Sequence, residues 1–246
     1  LVRRQMGISN IVSNDLLPII EQHTVSLDTG AINEQGKAVM DKVIRLLVDL
    51  TNPTMLHYKN QAIPRDDKYE MQIYLELQQL LYGYKVAFAT RKRFWIVLAK
   101  HLTRIMELEA VDRQVEDGLM FERIIVLIRN VLHIPAIDDT SDSCEVSVHD
   151  RIVEQMQVAN ILDILLFLMQ SDEYKEYCFH FAEIIRLIFR EQNAEFLAKS
   201  VEGDPLASSH LDQATRDLLL KDTDSGRSAF ERERDHRTLK EISQRD

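Results

Sequence analysis

The chain has 246 residues, is 45% hydrophobic and 28% charged, and carries a formal net charge of −10. That length buries one sizeable core, or one core plus a tail, and the acidic balance excludes a chain-wide phosphate-binding surface, so any nucleic-acid contact must be local or shared with a basic partner. No apolar run approaches the ~18 residues of a membrane span, and Cys144 and Cys178 make no disulfide framework, which reads as two reduced thiols of an intracellular protein.

Seven Gly and five Pro punctuate the sequence, and the long runs favour Leu, Ile, Met, Glu, Gln, Lys and Arg. The prediction is all-α. Residues 8–23 hold two short helical pieces. Asn14 or Asp15 is placed to cap the second, with Pro18 in its first turn. A polar connector covers 24–36. A helix over 37–51 stops at Thr51-Asn52-Pro53, and 54–67 reads as a loop. A long apolar-periodic run, 69–89, contains Gly83 as a possible kink. The next helix, 93–108, opens after Thr90-Arg91-Lys92-Arg93 and carries Phe94, Trp95, Leu98, Leu102 and Ile105.

The stretch LMFERIIVLIRNVLHIP, residues 119–135, predicts the central helix. Ile124, Leu127, Ile128, Val131 and Leu132 share one face, and Ile125 and Val126 widen it until little of the circumference is polar. Such a helix is buried on more than one side. It starts near Asp112 and ends at Pro135. Residues 136–147 read as an exposed acidic loop. Ser147 and Asp150 resemble a capping box before helix 148–158. A short apolar helix follows at 160–170, then a helix at 172–191 capped by Ser171. Asn193 is placed to cap a last short helix through Phe196 and Leu197. Residues 221–246 hold seven acidic and seven basic residues and almost no apolar ones. The division is therefore a helical domain over 1–200 and a charged extension over 201–246, partly helical or disordered.

Val43-Ile-Arg-Leu-Leu, Ile124-Ile-Val-Leu-Ile and Ile184-Ile-Arg-Leu-Ile recur at offsets of 81 and 60 residues. A period of ~40 is the armadillo/HEAT length, and 81 fits two units. The expected architecture is a degenerate armadillo/HEAT-like helical solenoid, in which each repeat buries its face against its neighbours.

Three separated runs also carry a family resemblance: SNDLLPIIEQH with VIRLLVDLTNP, then IRNVLHIP, then IIRLIFREQNAEFL. Together they resemble the N-terminal domain of Timeless proteins, over roughly residues 1–200. The resemblance implies a piece of a longer chain: a non-enzymatic, nuclear scaffold subunit of the replication-fork protection complex. Its implied partners are a Tipin-like small subunit, the MCM-containing replicative helicase, a Claspin-type checkpoint mediator, and double-stranded DNA held without sequence preference and shared with other subunits. The alternative within the family is a circadian-clock relative that binds a transcriptional repressor. The family-matching positions are carried over as structural: Asp15 to Pro18, Arg45, Asn52, Pro53, Arg129, Asn130, His133, Pro135, Arg190, Gln192 and Asn193. Among these, Arg129, Asn130, His133, Arg190, Gln192 and Asn193 are partner-binding or structural candidates. Arg129 and Arg190 either pair with carboxylates or meet a partner.

Nothing in the residues argues for catalysis, a cofactor or a metal. Asp138-Asp139-Thr-Ser-Asp142 matches the DDxxD of magnesium-dependent terpenoid synthases. It sits just after Pro135, however, among residues that make poor helix, and no second acidic motif accompanies it. Ser141 and Ser143 in that loop are phosphorylation candidates. His133 reads as satisfying a backbone group at its helix end, and Cys178 as a structural mid-face residue. Arg91-Lys92-Arg93 before Phe94-Trp95 leaves two readings open. One is a charged first turn whose aromatics face the core. The other is a patch on duplex phosphates, with Arg3, Arg4, Lys59, Arg65 and Lys68 as further DNA-contact candidates. An importin-type cargo adaptor is excluded, because one Trp cannot build the recurring Trp ladder of such a groove.

Overall fold

The computed structural model describes residues 2–28, 34–57, 67–109, 111–135, 146–192 and 197. Ten α-helices occur among them and no strand: α1 (Val2–Ile8), α2 (Leu17–Asp28), α3 (Glu34–Thr51), α4 (Thr54–His57), α5 (Lys68–Ala89), α6 (Lys92–Glu107), α7 (Val115–His133), α8 (Val148–Val158), α9 (Ile161–Gln170) and α10 (Cys178–Ile188). One compact unit closes at Arg190, and 191–246 form a second. The expected 193–197 helix falls outside the described residues except for Leu197, and the 136–147 loop falls outside them except for its last two residues.

The central helix is where its pattern put it. Ile124, Ile125, Leu127, Ile128, Val131 and Leu132 of α7 are fully buried, with α3 on one flank and α10 on the other. The three helices run parallel. Asp41 pairs with Arg123 and, two turns on, Val48 and Asn52 meet Asn130. On the other flank Tyr174 and Tyr177 face Phe121, His180 meets Arg129, and Arg190 reaches the carbonyl of His133. The three helices that carry the recurring sequence thus stack at one level, as successive units of a helical solenoid do.

Local chemistry sets most boundaries. Asp67 caps α5 by accepting from the amides of Tyr69 and Glu70 at 2.9 and 3.2 Å. The helix runs unbroken through Gly83, so there is no kink there. At the start of α7, three residues past Asp112, the Asp117 carboxylate accepts from the Gln114 amide at 3.2 Å. Ser147 caps α8 as expected, accepting from the amide of Asp150 at 3.0 Å. Pro53 ends α3, but a short α4 follows where a loop was expected.

Three boundaries differ from expectation. Neither Asn14 nor Asp15 caps a helix: a π-turn over Val12–Leu16 leads directly into α2, and the break falls at Asn10, with φ 52°. Asparagine tolerates that left-handed conformation because its short side chain bonds locally. Helices α2 and α3 extend into the expected 24–36 connector, to Asp28 and from Glu34. The expected 172–191 helix is split. Ser171 makes no side-chain cap, a 3-10 segment spans Asp172–Tyr177, and Tyr174 leaves helical geometry at φ −105°, ψ 18°. Burial of the Tyr174 ring, stacked 5.0 Å from Phe121, outweighs continuity of the helix. Cys178, expected mid-face, is exposed at the start of α10 because the split turns it outward.

Candidate functional site

The C-terminal ends of the long helices gather cations from elsewhere in the chain. Such ends leave carbonyls without helical partners and carry the negative pole of the macrodipole. At α3, Arg3 donates from Nε to the Leu50 carbonyl at 3.0 Å and from a terminal nitrogen to the Asn52 carbonyl. At α6, Arg113 donates to the Ile105 carbonyl at 3.1 Å, and its guanidinium lies 5.5 Å over the Tyr174 ring. At α7, Lys85 Nζ donates to the Ile134 carbonyl at 2.8 Å. Arg190 donates to the carbonyls of His133 and Ile134 at 3.0 and 3.1 Å.

Lys85 is fully buried, and its Nζ also lies 3.2 Å from His149 Nδ1. His149 Nε2 lies 3.4 Å from the Ile188 carbonyl. Through these contacts Lys85 and His149 tie α5, α7, α8 and α10 together.

Around the α7 end the family-matching positions converge. Asn130, fully buried, donates to Asn52 Oδ1 at 3.1 Å and to the Val48 carbonyl at 3.4 Å. Asn130, His133, Pro135, Pro53 and Arg190 line a cleft of about 260 Å³, with Met55, Tyr74 and Leu81 on its apolar wall. Gln78 spans that wall, donating to Thr54 Oγ1 at 2.6 Å and Tyr74 Oη at 3.0 Å.

His133 differs from expectation. Arg190 and Lys85 take the helix-end carbonyls, and among the described residues its ring makes no hydrogen bond. Burial lowers its pKa. Glu183 pulls the other way, and Arg190, Arg186 and Arg129 lower it further. His180 is likewise lowered, by burial and then by Arg129, against Glu122 and Glu183. Its Nδ1 accepts from Arg129 at 2.9 Å, and Arg129 Nε lies 3.8 Å from Glu183. Gln192 is half-buried and lies past the first compact unit; Asn193, Ser141 and Ser143 lie outside the described residues.

The basic run divides. Arg91 is held at home, ion-paired with Glu21 at 3.0 Å and donating to the Ser13 carbonyl at 3.2 Å. Lys92 and Arg93 are exposed on the first turn of α6, while Phe94 and Trp95 face the core. Trp95 Nε1 donates to the Phe88 carbonyl at 3.0 Å, and the Phe94 ring lies 5.0 Å from Phe88 and 5.1 Å from Trp95. The aromatics therefore face the core, as the first reading expects, and two of the three cations face water. Of the other DNA-contact candidates, Arg3 closes α3, Arg4 pairs with Glu76 at 2.6 Å, and Lys68 is exposed. Lys59 and Arg65 lie outside the described residues. Arg45, carried over from the resemblance, is exposed on α3.

The capping cations escaped the sequence reading. Lys85 looks like any polar residue in a helical run, and its target lies 49 residues away.

Pro53, Asn130, His133, Pro135 and Arg190 of this cleft are among the residues that carry the family likeness, and the likeness extends beyond them. The family model described as Timeless protein matches residues 1–244. The chain belongs to the Timeless family. It is 37% identical over 220 residues to the mouse "Protein timeless homolog" and 36% identical over 220 to the human one, covering 89% of this chain in both cases. It is 27% identical over 207 residues to the fruit-fly "Protein timeless", covering 80% of this chain. The chain spans about 17% of the length of the mouse and human relatives.

Proposed function

We propose that this chain is part of a nuclear, non-enzymatic scaffold subunit of the replication-fork protection complex. It docks a Tipin-like small subunit, the MCM-containing helicase and a Claspin-type mediator, and shares the hold on parental duplex. Through these contacts it supports fork progression, pausing and the S-phase checkpoint. The observation that carries this reading is the Timeless family match across 1–244. The side chains at the helix ends support it, because they are spent on holding helices together rather than set around a reacting atom.

The duplex contact falls to Lys92 and Arg93, since Arg91 is occupied by Glu21. Each phosphate contact contributes about 0.9 to the slope of log affinity against log salt, so alanines at both positions lower that slope for the complex by about 1.8. An unchanged slope rejects the duplex contact. The wider reading is tested by affinity purification from replicating cells with mass spectrometry. Helicase subunits and a small acidic partner co-purify, and the chain is chromatin-bound in S phase. Recovery of a transcriptional repressor without helicase subunits rejects the fork assignment.

A further inference from the structure

The cleft at the end of α7 has two kinds of lining. Pro53, Met55, Tyr74 and Pro135 are apolar or aromatic, and His133 and Arg190 are polar. The charges of Arg129, Arg186 and Arg190 all act on His133. Three guanidinium groups thus gather within electrostatic reach of one imidazole, against the single carboxylate of Glu183, on a chain whose net charge is −10. Arg129 and Arg190 also serve the fold. Arg186 is exposed on the last turn of α10, with no ion pair or hydrogen bond among the described residues.

Duplex phosphates match only half of this arrangement. A sugar–phosphate backbone offers nothing to fill a largely apolar hollow of about 260 Å³, whereas a Leu or Phe side chain enters such a space and occupies about half of it. Carboxylates beside that side chain meet guanidinium donors in the planar geometry that favours Arg over Lys. A rigid helix end with a hollow and a charged margin is how an extended segment is read: one anchor side chain gives affinity, and flanking charges give register and selectivity.

We propose that this cleft docks a linear acidic segment of another protein, with one Leu or Phe side chain seated in the hollow lined by Pro53, Met55, Tyr74 and Pro135 and adjacent Asp or Glu residues facing Arg186, Arg129 and Arg190. The proposal deepens the scaffold reading and rests on it, by giving the chemistry of one partner contact.

The test uses the full 246-residue chain and a displayed library of acidic peptides, each about 12 residues long with one randomised anchor position. Selected peptides are remade with fluorescein and measured by anisotropy. Leu or Phe is expected at the anchor. Replacing it with Ser, or the carboxylates with amides, weakens binding at least about fivefold. Arg186→Glu, exposed and outside every cap described above, weakens it about fivefold, the scale of reversing one exposed ion pair. Backbone amides near 53–55 and 130–134 slow their hydrogen exchange on binding.

The proposal is overturned if no peptide is enriched, or if binding ignores Arg186→Glu or the anchor. It is also overturned if duplex DNA of about 20 base pairs displaces the peptide with equal sensitivity to Arg186→Glu, which makes the margin a phosphate site. These outcomes are separable from failure of the fork assignment. Co-purification of helicase subunits reports on the whole assembly, and the peptide assay needs only this chain.

Discussion

Asn130→Ala is the sharpest test of how the helix layer is held. The side chain is fully buried, and Nδ2 makes its two hydrogen bonds to α3 and the residue just after it. A net hydrogen bond is worth about 1 kcal/mol, and the bond at 3.4 Å counts for roughly half of that. Removing the amide also leaves a void in a close-packed layer, for a further ~0.5–1.5 kcal/mol. The expected loss is therefore about 2–3 kcal/mol, or a melting temperature lower by about 4–12 °C. The assay is urea unfolding of the full chain followed at 222 nm, with an unchanged denaturant slope. Asn130→Asp keeps the shape but turns the donor into an acceptor facing two other acceptors in a dry site, so at neutral pH it must cost more than Ala. A loss below about 0.5 kcal/mol for Ala, or Asp milder than Ala, refutes the reasoning.

Other perturbations read other parts of the fold. Gly83 sits exposed within α5, and a Cβ there meets nothing within 4 Å, so Gly83→Ala raises stability by about 0.5–1 kcal/mol in the same assay. Asn160 turns α8 into α9, at a 72° bend, with φ 61°. Asn160→Gly is tolerated, whereas Asn160→Val costs about 1–2 kcal/mol, and equal melting temperatures for the two variants contradict this. His133 and His180 have folded pKa values below the ordinary one. In the window from their folded pKa up to about 6.5 the unfolded chain binds more protons. Stability is thus complete above about pH 6.5 and falls as pH drops through that window. The combined variant His133→Gln with His180→Gln flattens unfolding free energy measured between about pH 7.5 and 5, and an unaltered slope counts against burial as the cause.

What the sequence made legible was local or periodic. The steps of Ile124, Leu127, Ile128, Val131 and Leu132 name the buried helix, Pro53 names a stop and Ser147 names a start. The recurring Ile/Val-rich pentads name the helices that stack. What stayed hidden depends on partners far along the chain. Nothing near Lys85 announces the Ile134 carbonyl or His149, and nothing near Tyr174 announces the Phe121 ring that breaks its helix. Arg91 looked like the head of a basic patch because Glu21, its partner, lies 70 residues earlier. The candidate cleft was half legible. Its residues stood out as family-matching, but that they share one hollow follows only from the parallel packing of α3, α7 and α10.

That parallel packing also explains why the cations are there. Three parallel helices ending at one level bring three negative dipole ends together, an arrangement that antiparallel neighbours avoid. Arg3 donates to carbonyls at the α3 end, and Lys85 and Arg190 to carbonyls at the α7 end, in place of a water that a buried end cannot reach. The cations at this edge therefore serve the stack first, and a ligand can use only those the stack does not need. Arg190 and Arg186 separate the two demands within four residues. Arg190 bonds two α7 carbonyls, so Arg190→Ala lowers stability before any partner is added. Arg186 reaches solvent from the same helix end, so reversing its charge costs at most about 1 kcal/mol through the helix dipole and acts mainly on what binds. If both variants prove equally destabilising, Arg186 belongs to the helix cap and the margin has no charge left to offer a partner.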